Sequence, residues 1–149
     1  MNTELQDLYQ EVILDHNRRP RNFRAIDEGR SAEGFNPLCG DRVTVYLKVD
    51  DSGVITDVSF QGSGCAISKA SASLMTESVK GKTVEEAKAL FERFQQMITA
   101  PAETPIDNLG KLTVLAGVRQ FPVRVKCASL AWHTMRSAMD ARADVVSTE

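Results

Sequence analysis

A chain of 149 residues, 42% hydrophobic and 26% charged, has the length and balance of one water-soluble domain with a single core. A formal net charge of -2 and a pI near 5.7 argue against nucleic acid or an anionic membrane as partner, and no apolar run nears the ~20 residues that span a bilayer. The opening residues are acidic and lack the apolar stretch of a signal peptide, so the expected location is the cytoplasm, where three cysteines serve packing or chemistry rather than disulfides.

Residues 5–16 predict an amphipathic helix. Leu5, Leu8, Tyr9, Val12 and Ile13 recur at the spacing of one apolar face, and Pro20 stops the pattern. His16 falls on or beside that face near the helix end, where the dipole favours a packed imidazole over a metal ligand. The basic run over residues 17–24 holds one aromatic in an acidic chain and reads as a solvated loop or a protein docking surface.

A short strand over residues 31–36 leads into Pro37. In residues 42–49, Val43, Val45, Leu47 and Val49 alternate with Thr44, Tyr46 and Lys48, the mark of a half-buried strand. Turn residues 50–53 precede a return strand over 54–60, with Val54, Thr56, Val58 and Phe60 on one face. Helices follow. Residues 65–79 are rich in small side chains that permit close approach, and Gly81 ends them. Thr83 and Glu86 have capping-box spacing ahead of Val84, Ala87, Phe91, Phe94 and Ile98. Asp107 would cap a short helix through Leu109, Leu112, Leu115 and Ala116, stopped by Gly117. Residues 121–126 read as extended, and a last helix runs from about Cys127 to Arg142. The expected fold is α+β, with a small antiparallel sheet of about three strands covered on one side by helices. Residues 1–149 form one domain, loose from about residue 143.

Cys39 lies on a Pro/Gly-punctuated loop, two residues before Asp41. Cys65 and Cys127 open predicted helices, where unpaired N–H groups and the dipole favour a thiolate. No C-x-x-C pair exists, and each cysteine alone reads equally as a small buried hydrophobe. Together, Cys39, Asp41, Cys65 and Cys127 have the donor set of a tetrahedral zinc site. Four anions around one divalent cation leave excess negative charge, which Arg124 or Lys126, both near Cys127, would offset; Arg124 reads as a partner of Asp41 or a cysteine, or else as a plain surface arginine. His133 reads as a surface or core residue rather than a ligand, and Trp132, Met75 and Met135 as packing or partner-contact residues.

Residues 39–41 (Cys-Gly-Asp), 62–68 (Gly-Ser-Gly-Cys-Ala-Ile-Ser) and 125–132 (Val-Lys-Cys-Ala-Ser-Leu-Ala-Trp) resemble the three cysteine motifs of the IscU/NifU-like superfamily. Tyr9 and residues 15–22 (Asp-His-Asn-Arg-Arg-Pro-Arg-Asn) are similar to its opening signature, so the likeness spans residues 9–136. Lys126 stands where scaffold-type members carry a histidine, and the segment between the second and third cysteines, including residues 101–117, is longer. Both features resemble SufU-type members. The resemblance implies an IscU/NifU-like fold and a zinc-dependent sulfurtransferase in iron–sulfur cluster biogenesis. It implies zinc on Cys39, Asp41, Cys65 and Cys127, with Cys39 accepting persulfide sulfur from a SufS-type cysteine desulfurase. It also implies a SufBCD-type cluster scaffold as the downstream partner. Two alternatives stand beside it: a scaffold that assembles a [2Fe-2S] cluster, or holds iron, on the same ligands, and a structural zinc protein without turnover.

Overall fold

The alternation of residues 42–49 becomes the central strand of a sheet that carries all its helices on one face. The structure, a computed structural model, describes residues 3–101, 103–105, 109–140 and 146–147, with side chains described from residue 7 onward. Strands β1 (Arg30–Asn36), β2 (Asp41–Val49) and β3 (Ile55–Ser63) form an antiparallel meander. Val43, Val45 and Leu47 of β2 face the core beside Ala32 and Gly34 of β1. Gly34 has a steric role here: a Cβ at this position would collide with Thr134 Oγ1 on the helix above.

The sheet departs from the expected three antiparallel strands. It has four, in the order β3-β2-β1-β4, and it is mixed: β4 (Val146–Ser147) pairs parallel to β1 through Gly34↔Val146 and Phe35↔Ser147. The chain end returns to the free edge of β1, and two residues are too few to show a period. The rest of the tail expected to be loose lies outside the described residues. The return strand also differs in phase. Lys48 pairs with Asp57 but Val49 with Ile55, so an extra residue shifts the alternation; Ile55 is buried and Thr56 exposed.

Helix α1 (Thr3–Arg18) packs on α2 (Ala66–Val79), and α2 packs on α4 (Pro122–Met139). The small side chains of α2 explain this crowding, since Ala70, Ser71, Ala72 and Ser73 are all buried. Tyr9, Val12 and Ile13 of α1 are half-buried, whereas Leu8 is exposed and the side chain of Leu5 lies outside the described residues. Helix α3 (Val84–Thr99) starts with both bonds of the Thr83–Glu86 capping box. Trp132 is fully buried, stacked on Phe94 and Phe91 at 4.5 and 5.9 Å, and its indole N–H donates to Ser71 Oγ at 3.2 Å. Met75 and Met135 are core residues, and His133 meets the ring of Phe91 edge-on.

Two helical boundaries correct the sequence reading. Asp107 lies outside the described residues, and the segment Gly110–Gln120 is a 3-10 helix that passes through Gly117. Buried Leu112, Leu115 and Val118 recur every three residues, the period of that helix. Residues 122–126 are helical rather than extended. Pro122 takes the first position of α4, where its missing N–H costs nothing and its fixed φ fits.

The basic run is largely exposed, as a solvated loop should be, and surface ion pairs and one backbone bond tie it to its neighbours. Arg21 pairs with Asp15 and Arg24 with Asp57, both at 2.6 Å, while the Arg21 N–H donates to Ser73 Oγ at 2.8 Å. His16 is buried between Ser73 Oγ at 2.7 Å and Glu77 Oε1 at 3.5 Å. Burial there pushes its pKa below the ordinary value, against the dipole effect expected from its place at the helix end.

Candidate metal centre

The β1–β2 hairpin carries two polar residues into the core by the same alternation that buries its apolar ones. Asn36 continues the inward face of Ala32 and Gly34, and Asp41 that of Val43, Val45 and Leu47; both are fully buried and pair across the hairpin. Between them the turn closes on the Asn36 carbonyl, which accepts the N–H groups of Gly40 at 2.8 Å and Cys39 at 3.3 Å. Gly40 supplies the left-handed conformation (φ 71°) that completes the turn. Cys39 is thereby exposed at the tip, next to Leu38, itself 61% exposed.

Cys65 is the N-cap of α2, and its sulfur accepts the Ser68 N–H at 3.4 Å. The Cys65 N–H donates to Asp41 Oδ1 at 2.8 Å, and its thiol meets Asp41 Oδ2 at 3.8 Å. Gly64 makes room for this contact, because a Cβ there would collide with Asp41 Oδ1. Asp41 is thus held at the helix entrance by the backbone of the second cysteine motif.

Cys127 departs from its expected place. With α4 starting at Pro122, it lies in the second turn instead of at the N-terminus, and it is buried. The orphan N–H groups of a helix start do not reach it. Its thiol pKa is raised, chiefly by burial and then by hydrogen bonding with Cys39 and Asp41. The sulfur lies 3.4 Å from Cys39 Sγ and 3.7 Å from Asn36 Nδ2.

Cys39, Asp41 and Cys127 therefore present ligand atoms that all lie within 4.8 Å of one another, and Cys65 joins them through Asp41. A tetrahedral zinc with bonds of about 2.3 Å to sulfur has S···S edges of about 3.8 Å. The observed separations of 3.4 Å between two sulfurs and 3.8 Å from sulfur to carboxylate are close to those edges. A desolvated thiol with a raised pKa among two more sulfurs and a carboxylate suits a cation, which reverses the preference for the protonated form. The donor set fits zinc, and it also fits iron.

The centre opens on a groove of about 780 Å³ that all three cysteines line, walled by Tyr9 and Ile13 of α1, Val118 of the 3-10 helix and Phe121. Arg124 borders the same groove one turn before Cys127, with its guanidinium 4.8 Å from the centre of the Phe121 ring. The sequence reading assigns no role to Asn36. The alternation through Ala32 and Gly34 is the signal that points to it. Among the described residues no helix is long and apolar enough to cross a membrane.

A family model described as the NifU-like N-terminal domain matches residues 8–128. The chain is 38% identical to the zinc-dependent sulfurtransferase SufU of Bacillus subtilis, over 93% of each chain. It is 39% identical to the iron–sulfur cluster assembly scaffold protein IscU of Streptococcus pyogenes, over 95% of this chain and 89% of the relative. Among solved structures, the N-terminal part of a NifU-like protein from Brucella abortus superposes with a TM-score of 0.80 at 26% identity, covering 93% of this chain and 96% of that one.

Proposed function

Because the chain belongs to the NifU-like N-terminal domain family of iron–sulfur cluster assembly proteins, we propose that it is a zinc-dependent sulfurtransferase that takes persulfide sulfur from a cysteine desulfurase onto Cys39. The observation that carries this reading is the graded exposure of the donor set. Cys39 is exposed on a turn, Cys65 is half-buried at a helix cap, and Cys127 and Asp41 are buried. One sulfur can meet a partner while the other donors stay in place.

Cys39, Asp41, Cys65 and Cys127 would hold the metal, with Arg124 beside them to offset the excess negative charge. Zinc, when bound, keeps the cysteines deprotonated at neutral pH and shields their sulfurs from oxidation. Cys39 thiolate attacks the outer sulfur of the donor's cysteine persulfide. A bond forms between Cys39 Sγ and that sulfur as the donor's S–S bond breaks, and the bonding pair leaves on the donor thiolate. Cys39 ends as a persulfide with no net change in oxidation level. Asp41 keeps the Cys65 N–H, and with it the start of α2, fixed during the exchange. The product would pass to a SufBCD-type scaffold in the cytoplasm.

The test combines metal analysis with turnover. Protein purified without air should be colourless and contain zinc. It should stimulate alanine release from cysteine by a SufS-type desulfurase and gain one sulfur in mass on Cys39. A second reading, the cluster scaffold, is favoured by the scaffold relative at equal identity. Iron, acid-labile sulfide and visible absorbance in that preparation, without stimulation, would establish the scaffold instead.

A further inference from the structure

The three sulfurs differ in more than exposure. Cys65 Sγ accepts the backbone N–H of Ser68 at 3.4 Å, and Cys127 Sγ accepts the side-chain amide of Asn36 at 3.7 Å. Among the described residues Cys39 Sγ meets Cys127 Sγ, at 3.4 Å, and no N–H donor. An N–H···S bond draws electron density from sulfur and fixes its direction, which leaves it a poorer nucleophile and a better-anchored ligand.

Asn36 is the only one of these donors that also shapes the loop of another cysteine. Its Oδ1 accepts the Leu38 N–H at 3.2 Å, and its carbonyl accepts those of Cys39 and Gly40. Fully buried and paired with Asp41 across the hairpin, it reaches Cys127 with one end of its amide and holds the Cys39 turn with the other. A hydrophobic residue of the same size would remove the acceptor of the Leu38 N–H and the N–H donor of the Cys127 sulfur.

We propose that Asn36 is a positioning residue that assigns the sulfurs their roles: its amide N–H anchors Cys127 as the sulfur that stays, and its carbonyl groups present Cys39 as the sulfur that reacts. The assignment rests on the reading of these sulfurs as metal ligands. It predicts that sulfane sulfur goes to Cys39 alone while the amide bond is intact, and is shared with Cys127 once that bond is removed.

Two measurements test it. In unaltered protein loaded with cadmium-113, the side-chain amide proton of Asn36 should show scalar coupling to the metal through the Cys127 sulfur. Asn36→Ser keeps a hydroxyl acceptor for the Leu38 N–H but cannot reach Cys127. This variant should lose about 10–100-fold in zinc affinity, the usual range for an outer-shell partner, in competition with a chromophoric chelator. Mass spectrometry after reaction with a SufS-type desulfurase and cysteine should find its sulfur divided between Cys39 and Cys127. Absence of the cadmium coupling, or an Asn36→Ser protein with wild-type zinc affinity and sulfur on Cys39 alone, would overturn the assignment. If Asn36→Ser does not fold, the coupling in unaltered protein decides by itself. Unaltered protein that retains neither zinc nor cadmium would instead overturn the ligand reading beneath it.

Discussion

The hairpin tip and the helical floor of the cysteine centre are built by opposite means. The tip is a four-residue turn over residues 37–40, closed by backbone bonds to one buried asparagine, and its thiol and its leucine face solvent. The floor is α2 and α4 packed through small residues, with Cys127 one turn from Leu130 and Ala131 and the two helices joined by the Trp132–Ser71 bond. Moving the tip disturbs few packed atoms, whereas moving the floor opens the core. The proposed exchange, in which the centre would hold an ion and release one sulfur to a partner, would gain from this division, since holding and delivering would fall on different parts of the chain.

If the floor governs stability and the tip governs chemistry, substitutions in each should leave the other's property alone. Trp132→Ala should have the largest effect, about 3–5 kcal/mol of unfolding free energy, because it empties a ring site between Phe91 and Phe94. Urea unfolding of metal-free protein measures this. Cys39→Ser should keep stability within about 0.5 kcal/mol, as an exposed substitution does. It should nonetheless lose at least about 100-fold in stimulated desulfurase turnover, equivalent to about 2.7 kcal/mol of activation free energy. Normal stimulation by Cys39→Ser would end the division of roles and move the sulfur acceptor to Cys65 or Cys127.

Most of the fold is legible in the sequence, and the reasons differ by element. The alternation from Val43 to Leu47, the Thr83–Glu86 box and the small residues of α2 each encode a local preference that packing reinforces. Cys39, Cys65, Cys127 and Asp41 are grouped by their positions and motifs, and the structure places Cys39, Asp41 and Cys127 within 4.8 Å of one another with Cys65 against Asp41. The expected place of Cys127 at a helix start does not hold, because residues 121–126 read as extended in the sequence whereas Pro122 opens α4. Strand β4 was not legible, since two residues paired to a distant edge show no pattern of their own. The phase of β3 turned on one extra residue opposite Lys48 and Val49, which propensity does not register.

Gly64 tests the join between the two regions. Its missing side chain admits Asp41 Oδ1 to the Cys65 N–H, so Gly64→Ala forces the carboxylate away from the start of α2. The expected result is a fall of about 10–100-fold in zinc affinity, close to 1.4–2.7 kcal/mol, by chelator competition. Gly40→Ala is the control, because a Cβ there meets open space and only the turn's φ of 71° opposes it. Equal zinc affinity in Gly64→Ala and unaltered protein would mean that Asp41 holds its place without the second motif.

The smallest effect expected lies where the basic run closes over α2, away from the cysteines. The Glu77 carboxylate can only accept, so neutral His16 carries its proton on Nε2 toward Glu77 and accepts the Ser73 hydroxyl on Nδ1. Burial lowers its pKa from 6.5, with Arg21 and Lys111 acting the same way and Glu77 and Asp15 opposing. Below pH 6.5 the unfolded chain then binds a proton that the folded chain resists, so stability present above that pH is lost as pH falls toward the folded pKa. The slope reaches at most about 1.4 kcal/mol per pH unit for each such histidine. His133 shifts in the same direction through burial, while Asp15, Asp57 and Glu86, all lowered, act only as pH falls through the carboxylate range. Urea unfolding of metal-free protein from pH 7.5 to 5.5 should show this decline, and His16→Asn should remove part of the slope and His133→Asn the rest. Sulfur acceptance by Cys39 in His16→Asn should stay unchanged at pH 7.5, because the His16 contacts with Ser73 and Glu77 tie α1 to α2 without touching the tip. A slope unaltered by either substitution would place the pH dependence elsewhere and leave His16 as a packing residue alone.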